Sequence, residues 1–478
     1  MDIEYRKNSN ALLFSNLEKI LDIDKLQNYI PLYNNFFNIN ENNHNSINLD
    51  TQYTLNSIYK KKELLFAKLN DNNNEISREV YIKYSPLLDP IKYMIGKIKI
   101  EPDNLLNLPK FSNNINIDKK LIEPNNAAYV DGFFSYLTDK LLHKYNFIHG
   151  LEFFGSFLGI KNNFLVNIED DIDFLNDSEF FYKNIPILFN FKSSIHYEMF
   201  NINTRTHKKR LSINDNIPSL NLSNINDFEH LNHIFKLNSV EPTNDKTKVE
   251  YETTIVKNDT ENDTDSECSS RTSNTHSSEE PRGSEGGSGG SGGSEGGSEG
   301  GSEGGSGGSG DSEGDSEGDS EGDSEDEVYV SINKFPVHAI CLEKCHSTLD
   351  KLIVNNDLSE DEWGSLVTQI LFMLITYQKM FNLTHNDLHT NNIMYNITDK
   401  EFLYYKYNNK DYKIPTFGRI FKIIDFGRAI YKFRGNVICS DSFYENGDAS
   451  TQYNFEPFFN KKKPRLEPNF SFDLCRLG

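Results

Sequence analysis

No glycine occurs before Gly96 in this chain of 478 residues. That excludes a glycine-rich loop near the start of the chain, the device in which close-packed backbone amides cradle phosphates. No run of 18 apolar residues exists either, so no transmembrane helix is expected. The opening Met1-Asp2-Ile3-Glu4-Tyr5-Arg6-Lys7 lacks the apolar core of a signal peptide. Cysteine is scarce: Cys268, Cys341, Cys345, Cys439 and Cys475 are odd in number and scattered. This pattern suits free thiols in a reducing compartment, the cytoplasm or nucleus, and argues against secretion. Cys341 and Cys345 share a strand-like segment with no second ligand pair nearby, which argues against a zinc site. Nothing in the charge distribution suggests a nucleic-acid-binding surface.

What is abundant is acid, and it is concentrated. Residues 258–327 hold 21 acids against two bases, Arg271 and Arg282, and so carry −19 of the total charge of −22. Within them, Gly-Ser-Glu-Gly-Gly repeats from Gly283 give way to Gly-Asp-Ser-Glu repeats ending at Ser324. Such a tract cannot bury enough apolar surface to offset its chain entropy, and its charges repel. A disordered acidic linker is expected over 258–327. Residues 1–75 are Asn-rich, with amphipathic pieces such as Leu12 to Leu26, and read as an N-terminal extension. Residues 161–257 hold short apolar runs such as Ile185-Pro186-Ile187-Leu188-Phe189 between Asn- and Asp-rich turns, and read as an insertion.

One stretch carries the chemistry. Thr384-His385-Asn386-Asp387-Leu388-His389-Thr390-Asn391-Asn392-Ile393-Met394 is followed by Phe421-Lys422-Ile423-Ile424-Asp425-Phe426-Gly427-Arg428. Together they read H-x-D-x-x-x-x-N, then D-F-G. Either string alone arises by chance, but the pair in this order, beside apolar strand-like runs, is specific. It resembles the catalytic and metal-binding loops of the protein kinase superfamily. The resemblance implies that Asp387 orients the substrate hydroxyl and accepts its proton, while Asn392 and Asp425 hold magnesium.

Other stretches follow the same family order. Glu79-Val80-Tyr81-Ile82-Lys83-Tyr84 alternates like a strand and resembles the strand whose lysine, here Lys83, holds the ATP phosphates. Tyr81 stands where the family has a small residue against adenine. From Pro124 to Tyr145 apolar residues recur at helical steps. This helix resembles the one whose glutamate pairs with that lysine, yet it has no glutamate, so Asp131, or else Asp139, takes the role. Phe147 to Leu158 reads as the next strand. Val337 to Cys345 resembles the last small-lobe strand and hinge, which implies Leu342 as gatekeeper and the Glu343 carbonyl and Cys345 amide as readers of the adenine edge. Thr348-Leu349-Asp350 starts a helix from which Asp350 would reach the ribose. Met394 is assigned to the same nucleotide pocket. Asp361 to Met380 is amphipathic, with Trp363, Leu366, Ile370, Leu374 and Tyr377 on one face.

The piece between Asn392 and Asp425 reads as an extra hairpin. With His389 and Phe472-Asp473-Leu474, it resembles haspin, an atypical histone kinase. His389 replaces the lysine that touches the γ-phosphate, His385 packs against the D-F-G phenylalanine, and Asp473 buttresses the catalytic loop. Asn386 stands where many kinases carry an arginine that pairs with an activation-loop phosphate, so activity independent of such phosphorylation is expected.

The expected fold is α+β and bilobal, protein kinase-like. Residues 76–160 form a partial small lobe, and 328–478 the hinge and a large lobe that ends short of the family's length. The implied activity is ATP- and magnesium-dependent phosphorylation of serine or threonine in a protein substrate, with no membrane or nucleic-acid partner. A pseudokinase scaffold, or a small-molecule kinase of the aminoglycoside or choline type, remains open.

Overall fold

The computed structural model describes residues 1–192 and 328–478, apart from 8, 9, 72, 73, 99–101, 113 and 115. The acidic linker 258–327 and most of the expected insertion, 193–257, lie outside the described residues. The described chain is α+β. In order it forms α1 (Ala11–Leu21), β1 (Ile23–Gln27), β2 (Thr54–Lys61), β3 (Leu64–Asp71), β4 (Asn74–Pro86), α2 (Ala127–Tyr145), β5 (Phe153–Asn167), β6 (Phe189–Phe191) and β7 (Tyr329–Glu343). Then come α3 (Leu349–Asn355), α4 (Glu360–Phe381), β8 (Ile393–Ile397), β9 (Phe402–Tyr407), β10 (Lys410–Pro415), β11 (Arg419–Ile423), β12 (Ile430–Phe433), β13 (Asn436–Cys439) and α5 (Phe472–Leu477). Among the described residues no helix is long and apolar enough to cross a membrane.

A seven-stranded antiparallel sheet dominates the first half, in the order β1-β5-β7-β4-β3-β2, with β6 paired to β7. Alternation along β4 sends Val80 and Ile82 to one face, where they meet Leu13, Leu17 and Leu21 of α1. Lys83 projects from the other face, where α2 packs. The approach of α2 is close because Gly132 lies against His338 of β7, and a Cβ there would collide with the imidazole. His338 Nδ1–H donates to the Ala128 carbonyl at 2.8 Å, and burial pushes the ring's pKa down to about 4, so it stays neutral.

The sheet departs from the sequence reading in two places. Residues 1–75 are not wholly an extension, because β2 and β3 form a hairpin that extends the sheet beyond β4. The insertion expected from residue 161 begins later, since β5 runs on to Asn167 and β6 adds to β7. Strand β5 also starts at Phe153 rather than Phe147, and α2 starts at Ala127 because Asn126 caps it, its side chain accepting from the Ala128 amide.

In the second half, α4 opens with a reciprocal Ser359/Glu362 capping box. Leu366, Ile370, Leu374 and Tyr377 are buried as expected, but Trp363 is 38% exposed because the first turn overhangs the core. The extra hairpin is present as β9–β10 and lies on α4, with Tyr405 stacked on Phe372 at 4.1 Å. Two buried ties join this half to the sheet. His149 Nδ1–H donates to the Phe421 carbonyl at 2.7 Å and Nε2 accepts from the Tyr405 hydroxyl at 2.8 Å. Lys422 Nζ reaches Glu343 Oε1 at 2.5 Å and the Gly150 carbonyl at 2.8 Å. The Glu343 carboxylate also accepts from the Glu152 amide and from Asn396 Nδ2, each at 2.8 Å. A charged pair this deep is tolerated because hydrogen bonds satisfy its remaining atoms.

Candidate active site

The site is built where β4, α2 and the turn after β11 converge. Lys83 on β4 and Asp131 on α2 lie 2.7 Å apart, Nζ to Oδ2, and Lys83 Nζ lies 2.8 Å from Asp425 Oδ1. All three are buried. Of the two acids weighed on the helix, Asp131 is the one beside Lys83. Asp139, two turns on, accepts from the Phe153 amide and sits 3.4 Å from His143 Nε2. Asp131 does more than neutralise the lysine, because its Oδ1 accepts the Phe426 amide at 2.8 Å and so ties the helix to the D-F-G turn. Burial raises both carboxyl pKa values. The Lys83 ammonium only partly offsets this at Asp131, which stays above the ordinary range, but more than reverses it at Asp425, which is held below.

Asp425 has φ +61°, in the left-handed region that most side chains avoid. The conformation is held by the neighbour: Phe426 is fully buried, with its ring 4.5 Å from Phe134 and 5.4 Å from His385. The expected packing of His385 on this phenylalanine is thus present. His385 Nε2–H also donates to the Ile424 carbonyl at 2.9 Å.

The loop holding Asp387 is fixed from below. Asp473 of α5 is buried and accepts the His385 and Asn386 amides at 2.9 and 2.7 Å, the buttress the sequence pattern implied. Asn392 Nδ2 donates to the Asp387 carbonyl at 2.9 Å and to His389 Nε2 at 3.0 Å. Burial lowers the His389 pKa, against a smaller opposing pull from Asp387, so the ring is neutral at neutral pH. In that form it accepts from Asn392 and orients the amide.

Two oxygens in this cluster are orphaned. Asn392 Oδ1 and Asp425 Oδ2 are buried and have no hydrogen-bond partner. Leaving a buried acceptor unpaired costs about 1–3 kcal/mol, so two from facing motifs suggest that the site is shaped for a ligand. Among the described residues, no three of His, Cys, Asp and Glu could hold a metal by themselves. An amide oxygen and a carboxylate oxygen, on stretches joined by the Ile424 amide to the Asn392 carbonyl at 3.0 Å, are donor types that suit magnesium, which keeps waters and takes further ligands from phosphate.

The remaining expected residues lie around this cluster. Asp350, at the start of α3, accepts from the Thr390 hydroxyl at 2.6 Å and so contacts the Asp387 loop. Leu342 is buried, with Tyr81 and Phe153 as its cross-strand neighbours, and Cys345 is buried with its thiol pushed up to about 12 by burial. Met394 is half-buried between Thr348 and Lys422 on the flanking strands. The Glu343 side chain is committed to Lys422. No side-chain hydrogen bond or ion pair joins Leu342, Glu343, Cys345 or Met394 to the Lys83–Asp131–Asp425 group among the described residues.

Sequence reasoning missed Arg428, the residue after D-F-G. Its Nη1 lies 3.2 Å from Asp387 Oδ1, and its Nη2 lies 2.5 Å from Asp448 Oδ2. Arg476 approaches the same Asp387 oxygen at 3.7 Å. Asn386, at φ +67°, accepts from the buried Tyr453 hydroxyl at 2.8 Å. The segment after D-F-G is therefore ordered by a built-in carboxylate, Asp448, and by a neutral hydrogen bond, with no phosphate needed. If the chain turns over nucleotide, phosphatase treatment of the purified protein is expected to leave that rate unchanged. Loss of most turnover, restored by a phosphomimetic at Thr451, would contradict this account.

Compared with known proteins, the chain matches no family model and no curated protein.

Proposed function

We propose that this chain is an ATP- and magnesium-dependent phosphotransferase of bilobal, protein kinase-like architecture that phosphorylates serine or threonine in proteins. The observation that carries the reading is the convergence of Lys83, Asp131 and Asp425 beside the two orphaned oxygens of Asn392 and Asp425. Magnesium bound by those two oxygens would neutralise phosphate charge as the γ-phosphoryl group leaves ATP. Lys83 binds phosphate oxygens and is held in place by Asp131. Asp387 orients the acceptor hydroxyl and takes up its proton. The hydrogen bond from Arg428 and the approach of Arg476 are both made at Asp387 Oδ1. Asp473 keeps that carboxylate in position through the backbone.

A pseudokinase reading has specific support too. The hairpin before the Lys83 strand turns at Lys62–Glu63, with no glycine, and Tyr81 narrows the adenine side. Continued along the ladder from Phe66–Glu79, the register carries that turn to the level of Lys83. Lysine side chains, rather than a row of amides, are then what β2–β3 offers a triphosphate. Transfer of labelled phosphate from ATP to casein or to the chain itself decides between the two readings. Wild type is expected to incorporate label, and Asp387→Asn to incorporate roughly 10²- to 10⁴-fold less. Equal labelling by the two proteins, or none by either, overturns the proposal.

A further inference from the structure

Three lysines stand together on a loop that the fold has built with care. Asn454 is buried and closes the loop 454–466. Its backbone pairs with Leu466 in both directions, at 2.9 and 3.1 Å. Its side-chain amide donates to the Asn460, Lys463 and Pro464 carbonyls at 2.8–3.0 Å, and its Oδ1 accepts the Asn460 amide at 2.8 Å. The preceding residue, Tyr453, is the one bonded to Asn386, next to Asp387. The loop is thus rigid and anchored one residue from a contact with the Asp387 loop. On it, Lys461, Lys462 and Lys463 are all exposed, and none forms an ion pair among the described residues. The loop's own acids are already satisfied, because Arg465 takes both Glu456 and Glu467. Three adjacent unpaired ammonium groups repel one another, and their attraction is available to an anionic partner.

We propose that this loop docks acidic, serine-containing peptide, and that the chain's own Gly-Asp-Ser-Glu repeats are such a substrate. The proposal rests on the phosphotransferase reading for its chemistry, but not for the docking. Charge complementarity favours peptide of this composition: residues 311–327 contain Ser312, Ser316, Ser320 and Ser324, each between Asp and Glu. The transfer itself balances simply. The serine oxygen forms a bond to the γ-phosphorus, the bond from that phosphorus to the β,γ-bridging oxygen breaks, ADP leaves, and the hydroxyl proton passes to Asp387.

The chain carries its own control. Ser288, Ser291, Ser306 and Ser309 lie in the same tract but each between two glycines. After full-length protein is incubated with magnesium and ATP, mass spectrometry is expected to find phosphate on Ser312, Ser316, Ser320 and Ser324 at least about tenfold above the glycine-flanked serines. K461E/K462E/K463E is expected to abolish that preference. Docking is read separately, without nucleotide, by anisotropy of a labelled (Gly-Asp-Ser-Glu)4 peptide. The protein for this arm is full-length, with the acids of 311–327 changed to Asn or Gln so that its own repeats do not compete. Binding about tenfold tighter than (Gly-Asn-Ser-Gln)4, weakened by salt and lost in the triple variant, is the expected result. Equal binding of the two peptides, or tighter binding of poly(U), overturns the docking site whatever the labelling shows. Docking without any transfer overturns the phosphotransferase reading and the substrate role, and leaves only the docking site. Transfer without site preference overturns the docking inference and leaves the activity.

Discussion

Asp425→Asn will bind ATP no more tightly with magnesium than without it. The substitution keeps an oxygen at the Oδ1 or Oδ2 position but removes the charge, and only the charged form attracts a hard divalent cation strongly. It also removes one of the two carboxylates that hold Lys83, while leaving the 2.7 Å pair with Asp131 intact. The lysine therefore stays in place, and the loss falls on the metal. The magnesium-dependent part of the affinity should fall by at least the roughly 10- to 100-fold that a metal site loses with an outer-shell partner. Isothermal titration of wild type and variant, each with and without magnesium, measures it. Undiminished affinity for magnesium ATP in the variant would remove Asp425 from the metal site.

The second large effect is on stability. Lys83→Met leaves Asp131 and Asp425 buried and facing each other with no cation between them, a change expected to cost about 3–5 kcal/mol. Its pH dependence has a definite sign. In the wild type, burial raises both carboxyl pKa values, Lys83 reverses this at Asp425, and that depressed group contributes stability above the unfolded pKa of ~3.9 that is lost on acidification. In the variant both pKa values are raised, so the folded state takes up a proton that the unfolded chain does not. Stability of the variant should therefore increase as pH falls from ~7 toward ~4, while that of the wild type decreases near the lower end. Urea unfolding across this range, with Lys83→Arg as the charge-retaining control, tests it. A variant as stable as wild type at pH 7, or one that weakens on acidification, would show that the three groups are not coupled as described.

How much of this could be read from the sequence depends on whether a residue's partner is local. Asp387, Asn392 and Asp425 were legible because their spacing is set by a short loop and the turn that follows β11. Asp131 was half legible: helical phase offered it and Asp139 alike, and only the packing of α2 on β4 separates them. The β2–β3 hairpin was missed for a definite reason. A register shift between Leu55 and Ser57 breaks the alternation, so the buried Leu55 and Ile58 fall three apart and no period of two is visible. The far half of β5 was hidden in the same way by Lys161-Asn162-Asn163, which sit on a strand yet read as a turn. Lys422 was a lone charge inside an apolar run, a signal of a buried pair that only the position of Glu343 could complete. Arg428 and Tyr453 reach partners between 20 and 67 residues away, and no pattern along the chain encodes those distances.

The buried tie of Lys422 to Glu343 and Gly150 has a mechanical meaning. Together with His149 it rivets the strand leading into Asp425 to the last strand of the sheet, close to where the chain passes from one half to the other. Separating the halves there would strand a charge and break several hydrogen bonds at once, so the joint is stiff. The compliant part is the tip of the β2–β3 hairpin, where Lys60 to Leu64 are exposed and the strands lie at the sheet's margin. Motion about this joint is then the wagging of a finger rather than the opening of a jaw, and under the phosphotransferase reading proposed above the lysine-tipped finger is the part that would cover and release a nucleotide.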